Sequence, residues 1–267
     1  MTPASEPVRF RRIVVTLDGS PSGPPALDVA VRLAALLNAE LEGVFVEDIN
    51  LVRLAELPFL REVRAHSLVQ QAISAESLQR DLRVLARQAE ENLQRAAAAV
   101  GVRCSFRVWR GHTGLAALSN SFEADILSLG GVGVRAAYRA VSLLPRRAPV
   151  APAIQTVNVL FSDSTPGHRA LAAACHLAVN LDARINVLLP AGAADAAALE
   201  RQAEAIIVAH HATGRTAFVR FDADGTRTPA ARAGGGVLVV GGDNPVLSRT
   251  ALVRWLETFA GPLLVVR

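Results

Sequence analysis

Apolar positions along the chain come as short continuous runs alternating with longer stretches at helical spacing. Ile13 to Leu17 is a largely apolar run suited to a strand buried on both faces. Pro24 and Pro25 can open a helix in which Leu27, Ala30, Leu33, Ala34 and Leu37 share a stripe. Leu41 to Val46 is a second strand, and Leu78, Leu82, Leu85, Ala89, Leu93, Ala96 and Val100 mark a long helix over about 75–100. Arg103 to Arg110 gives a third strand, "GLAALSNSF" a helix and Ile126 to Leu129 a fourth strand. Strands alternating with helices predict a parallel sheet with right-handed crossovers.

The second part of the chain repeats the plan in fewer residues. Strands are expected near 157–161, 185–189, 217–222, 237–240 and 262–266, with a middle helix over about 193–211. The match extends to residues. "RRIVVTLDGSPSGPPALDVAVRLAALLNAELEGVFV" (11–46) aligns with "VNVLFSDSTPGHRALAAACHLAVNLDARINVLL" (157–189) after one single-residue gap, pairing Asp18 with Asp163, Ala26-Leu27 with Ala170-Leu171 and Ala39 with Ala183. "ADILSLGG" (124–131) likewise matches "GGVLVVGG" (235–242). Such self-similarity points to a tandem duplication, with units at 1–150 and 151–267. The first unit carries an insertion at 47–71, whose Leu51, Leu54, Leu57, Phe59 and Leu60 need cover from the unit itself or from a partner. The fifth strand of the first unit would have to fit into Val150 to Ile154, almost touching the next unit, unless that unit lacks one.

Composition narrows the function classes. Apolar residues make up 51% of the 267, enough for a sizeable core, yet no run approaches the roughly 20 residues of a membrane span. "MTPASEPVRFRR" lacks a hydrophobic region with a cleavage site, which together with only two cysteines, Cys104 and Cys175, points to a reducing, cytoplasmic setting. Every basic residue is Arg, so P-loop, Schiff-base and kinase-type lysines are all excluded. One Tyr, two Trp and nine Phe supply a poor stacking platform, and nucleic acid is not expected as a partner.

The strand ending in Asp-Gly-Ser, the Ala-Leu helix after it, the closing "GPLLVVR" strand and the duplication together resemble the universal stress protein (UspA-type) family and its tandem members. The resemblance covers nearly the whole chain. It implies an α/β fold of two tandem Rossmann-like (adenine nucleotide α-hydrolase-like) units, each a mostly parallel five-stranded sheet with helices on both faces. It also implies dimerisation through the last strand. Many members bind ATP, through Gly-x-x-Gly, nine residues and Gly-Ser or Gly-Thr after strand four, with the end of strand one and strand two beside the nucleoside. Carried onto this sequence, the ATP site of the first unit comprises Asp18, Val46, Leu129, Gly130 and Gly133, and the vestigial site of the second comprises Asp163 and Gly241.

The stretch "LSLGGVGVRAAYRAVSLL" (127–144) departs from that motif, because Leu143-Leu144 stands where Gly-Ser belongs, and counting back from Pro149 instead gives Ala136-Ala137. In the second unit Asn244 replaces the second Gly, and only four residues precede Arg249-Thr250. Asp243 sets a negative charge where phosphate would lie. Glycine lets backbone N–H groups converge on an anion, and side chains at those positions obstruct it. "GVGVRA" (131–136) also fits the dinucleotide fingerprint, but Asp163 is too far along to serve as its ribose acid. His210-His211 with Glu200 and Glu204 lacks the i, i+4 spacing of a chelate, and no catalytic constellation is found. Asp18 can equally cap the next helix. Arg135, Arg139, Arg146 and Arg147 give the 126–162 stretch a cationic face.

The favoured reading is a non-catalytic module of stress response or signalling with degenerate phosphate loops, no required cofactor, and two units packed on each other. One alternative is an ATP- or AMP-binding sensor using the first unit, with or without slow hydrolysis. Another is a scaffold docking a protein partner, or a second copy in a homodimer, through residues 48–60.

Overall fold

The computed structural model describes residues 9–17, 23–50, 53, 61–63, 70–72, 75–111, 123–130, 154–190, 196–221, 236–248, 259 and 261–267. In chain order the main elements are β1 (Arg12–Leu17), α1 (Gly23–Leu37), β2 (Glu40–Asp48), β3 (Arg61–Val63), β4 (Gln70–Ala72), α2 (Ala75–Ala99), β5 (Cys104–Gly111) and β6 (Ile126–Gly130). Then follow β7 (Thr156–Leu160), α3 (Thr165–Leu181), β8 (Arg184–Pro190), α4 (Ala196–Ala209), β9 (Thr216–Phe221), β10 (Val237–Gly241), a short 3-10 turn at Pro245–Ser248 and β11 (Pro262–Val266).

The strands expected from the apolar runs all form. The fold is α/β, as expected, but instead of two five-stranded sheets there is one nine-stranded sheet of order β5-β2-β1-β6-β11-β10-β7-β8-β9. Every neighbouring pair is parallel except β6 with β11, which run antiparallel from Pro262 against Gly130 to Val266 against Ile126. The C-terminal strand takes the edge of β6 where a fifth N-terminal strand would lie. Of the proposed Val150–Ile154 strand only Ile154 is described, and it is outside any strand.

Strand alternation divides the core. Ile13, Val15 and Leu17 face the helices together with Val157, Val159, Leu264 and Val266. Val14, Leu127, Leu129, Leu238, Leu263 and Val265 face the other side. All four described helices lie on the first face. The helix expected at "GLAALSNSF" lies outside the described residues. Of the stripe of α2, Leu82 and Leu93 are buried and Leu78, Leu85, Ala89 and Ala96 partly so, with Ala86 and Ala97 buried beside them, whereas Val100 falls just past the helix end and is exposed. Leu93 packs where β2 has Gly43, since a Cβ there would lie 2.5 Å from Leu93 Cδ2. The insertion contains a feature its sequence does not signal: β3 and β4 pair antiparallel as a separate two-stranded sheet.

Candidate functional site

In an open parallel sheet, ligands gather beyond the C-terminal strand ends where the strand order reverses. That reversal occurs twice here, between β1 and β6 and between β7 and β10, and the antiparallel β6–β11 pair sends the two crevices to opposite edges of the sheet. At the first crevice, Val46 lies near the end of β2, and Leu129 and Gly130 end β6. The Val46 and Leu129 side chains are buried in the second core cluster, so only backbone there could meet a ligand. Asp18 and Gly133 lie outside the described residues, as do Ala136, Ala137, Leu143, Leu144 and the four arginines of 135–147.

The second crevice is described around Asp163 and Gly241. The chain leaves β7 through Phe161 and Ser162 and enters α3 at an N-cap, Ser164, in extended backbone geometry. The Ser164 hydroxyl accepts from the Gly167 N–H at 3.1 Å, and Pro166 follows in the first turn, where its missing N–H costs nothing. β10 ends hard against this turn: a Cβ on Gly241 would lie 2.8 Å from the Gly167 nitrogen. The strand four glycine is thus held by packing against the helix start.

The polar groups of this crevice bind one another. Ser164 Oγ donates to Asp243 Oδ1 at 3.0 Å, so a carboxylate sits at the positive N-terminal end of α3, where an anion is favoured. Ser162 Oγ lies 3.2 Å from Ser164 Oγ. Asp163 is engaged by His168 Nε2 at 3.0 Å and by Gln202 Nε2 of α4 at 3.0 Å. The His168 ring stacks on Phe161 with centroids 5.8 Å apart. Asn244, the residue in place of the second glycine, is buried and its amide donates to the Leu160 carbonyl at 3.4 Å. Of these groups the sequence marks Asp163, Gly241, Asp243 and Asn244. Ser162, Ser164, His168 and Gln202 were missed, although Ser164 ahead of a proline is a legible helix start.

The histidines singled out earlier fall elsewhere. His211 adopts a left-handed conformation, φ 54°, as α4 ends, and its N–H donates to the Val208 carbonyl. His210 meets His176 of α3 edge-on, ring centroids 4.9 Å apart. Burial holds His176 below the ordinary histidine pKa, and burial followed by repulsion from His176 and His211 does the same to His210. Cys175 is fully buried, and desolvation pushes its thiol up to about 12, which makes it inert. Among the described residues no group of three His, Cys, Asp or Glu could hold a metal, and no helix is long and apolar enough to cross a membrane.

The doubly wound order and the two strand-end crevices define an α/β protein with a Rossmann-like sheet. The model of the universal stress protein family matches residues 9–142, and the chain belongs to that family. Among solved structures, a universal stress protein from Archaeoglobus fulgidus aligns over 97% of both chains with a TM-score of 0.53 at 11% identity, a likeness of fold. One from Burkholderia pseudomallei aligns over 52% of this chain and 91% of its own, at 23% identity and a TM-score of 0.32. Another, solved in complex with cAMP, aligns over 43% of this chain and 98% of its own, at 26% identity and a TM-score of 0.33. No curated protein matches the chain.

Proposed function

We propose that this chain is a non-catalytic universal stress protein module made of two fused units, in which the nucleotide crevice of the second unit is closed by its own side chains. The observation that carries this is the Ser164–Asp243 hydrogen bond at the start of α3. Phosphate recognition at such a place depends on unoccupied backbone N–H groups and a favourable dipole. Here a carboxylate already uses the dipole, and the serine hydroxyl uses one of the N–H groups. A phosphate brought to the same point would meet a like charge. Asp163, partner of Asp18 in the repeat, is already hydrogen-bonded to His168 and Gln202, which a nucleoside would have to displace.

The fused arrangement is supported by the strand order, which runs third-second-first-fourth from one edge and the same from the other, meeting at β6 and β11. On this reading β11 serves both units: it is the last strand of its own and the antiparallel partner of the other. That pairing takes the place within one chain that a dimer contact through the last strand would take between two.

ATP titration tests the closure. Wild type gives no adenine-dependent heat from the second unit, and Asp243→Gly with Asn244→Gly, which restores the missing glycine and removes the charge, is expected to gain it. Gain of nothing by that variant, together with ATP binding by wild type that Asp163→Ala abolishes, contradicts the closure. The alternative, a sensor using the first unit, keeps its support from Gly130 at the end of β6 beside the first crevice. It predicts ATP, AMP or cAMP binding that Asp18→Ala removes.

A further inference from the structure

At the opposite end of the N-terminal strands from the first crevice lies a cavity of about 730 Å³, lined by Arg9, Phe10, Arg11, Arg12, Leu37, Asn38, Glu40 and Arg103. Four arginines and one glutamate are among the residues that line it. Arg12 is partly neutralised by Glu42, 2.7 Å away, but among the described residues Arg9, Arg11 and Arg103 form no ion pair, and neither does Glu40.

The corresponding place in the C-terminal strands shows how the fold settles such an arginine. Register fixes the correspondence: Leu41 of β2 pairs with Cys104 at the start of β5, and Ile185 of β8 pairs with Thr216 at the start of β9. Arg103 and Arg215 therefore stand one residue before equivalent strand starts. Asn38 and Asp182 likewise end α1 and α3 in the left-handed conformation, φ 50° and 52°. In the C-terminal case Arg215 Nη1 is 3.0 Å from Asp182 Oδ1 and also reaches the carbonyls of Ala178 and Ala183. In the N-terminal case the acid is replaced by the neutral Asn38, and among the described residues no carboxylate pairs with Arg103.

We propose that this arginine-lined cavity binds a small compound bearing a di- or triphosphate. Guanidinium forks match phosphate oxygens two at a time, and several converging cations select a multiply charged anion over a single one. The volume is in the range of small-ligand sites. Among the described lining residues the one aromatic ring, Phe10, is buried and lies under the Arg169 guanidinium at 5.0 Å, so it offers no open face for a base to stack on. The phosphates, and not a base, supply the recognition.

Inorganic pyrophosphate and tripolyphosphate, titrated calorimetrically at low salt, test this. Wild type is expected to bind tripolyphosphate saturably and more tightly than pyrophosphate. Arg103→Ala and Asn38→Asp should each weaken binding about tenfold or more, the second by supplying the carboxylate that ties down Arg215 in the other half. Asp182 already holds that backbone conformation, so Asn38→Asp is expected to fold, and an unchanged urea midpoint verifies it. In ATP, the cavity should respond as it does to tripolyphosphate, with no added affinity from adenosine. Absence of saturable binding overturns the proposal. So does binding that survives either Arg103→Ala or Asn38→Asp, or an equal loss in Arg95→Ala, which removes the same charge from the outer face of α2.

Discussion

Asp125, just ahead of β6, ties the two ends of the chain at the scale of single residues. Its Oδ2 accepts from the Arg11 and Arg12 N–H groups at 2.8 and 3.0 Å, and its Oδ1 accepts from Arg169 of α3 at 2.8 Å. Burial alone pushes this carboxyl up, but the Arg11 N–H, the Arg169 guanidinium and the Arg12 N–H together outweigh it and hold it below the usual aspartate value. Because the folded value lies below the unfolded one, the stabilisation is present above about pH 4 to 5 and is lost as pH falls through the folded pKa. Asp125→Asn should therefore flatten the acid limb of stability against pH, and Asp125→Ala should cost about 2 to 3 kcal/mol in urea unfolding at pH 7. The His176–His210 pair acts in the same direction at higher pH, because burial disfavours the charged ring. Both rings are held below the ordinary histidine value, so the unfolded chain takes up more protons and stability falls as pH drops below about 6.5. Replacing His210 by Asn should reduce the loss between pH 7.5 and 5, followed by urea midpoints. None of this was legible beforehand: Asp125 and Arg169 lie 44 residues apart, and neither belongs to a local pattern.

Among the elements, what local spacing determines was legible and what pairing determines was not. The Leu-rich stripe of α2 and the apolar runs of β1, β6, β7 and β10 mark themselves, because burial imposes periods of 3.6 or unbroken apolar runs. Leu93 anchors α2 over Gly43, and Leu93→Ala should lower stability by about 2 to 5 kcal/mol, measured by chemical denaturation. The β3–β4 pair escaped the sequence reading because "REVRAHSLVQQA" carries neither clean alternation nor a two-residue turn signal. Residue types at the crevice were only half informative. Asp163, Gly241 and Asp243 stand out in the repeat alignment, but that Ser164, His168 and Gln202 would satisfy them depends on how α3 and α4 meet the strand ends.

For the molecule as a whole, β11 decides the architecture. A chain of two closed sheets would leave a seam, whereas the pairing of β11 with β10 on one side and β6 on the other makes a single sheet. The Arg267 N–H to Asp125 carbonyl bond, 2.9 Å, continues that seam beyond the strand. The sequence marked "GPLLVVR" as a strand but could not assign its neighbours, since edge choice is a tertiary matter. Both parts of the chain should consequently unfold in one transition, with coincident curves for tryptophan fluorescence and far-ultraviolet circular dichroism. Deleting residues 260–267 should remove that coincidence or the fold itself.

The central claim, that this universal stress protein is a module without a working nucleotide grip, is tested most directly by mass spectrometry of the small molecules released when the freshly purified protein is denatured. The account predicts no adenine nucleotide retained at the strand-end crevices, so that wild type and Asp18→Ala release the same amount. ATP or AMP released in a fixed ratio to protein, and lost from the Asp18→Ala variant, would contradict it.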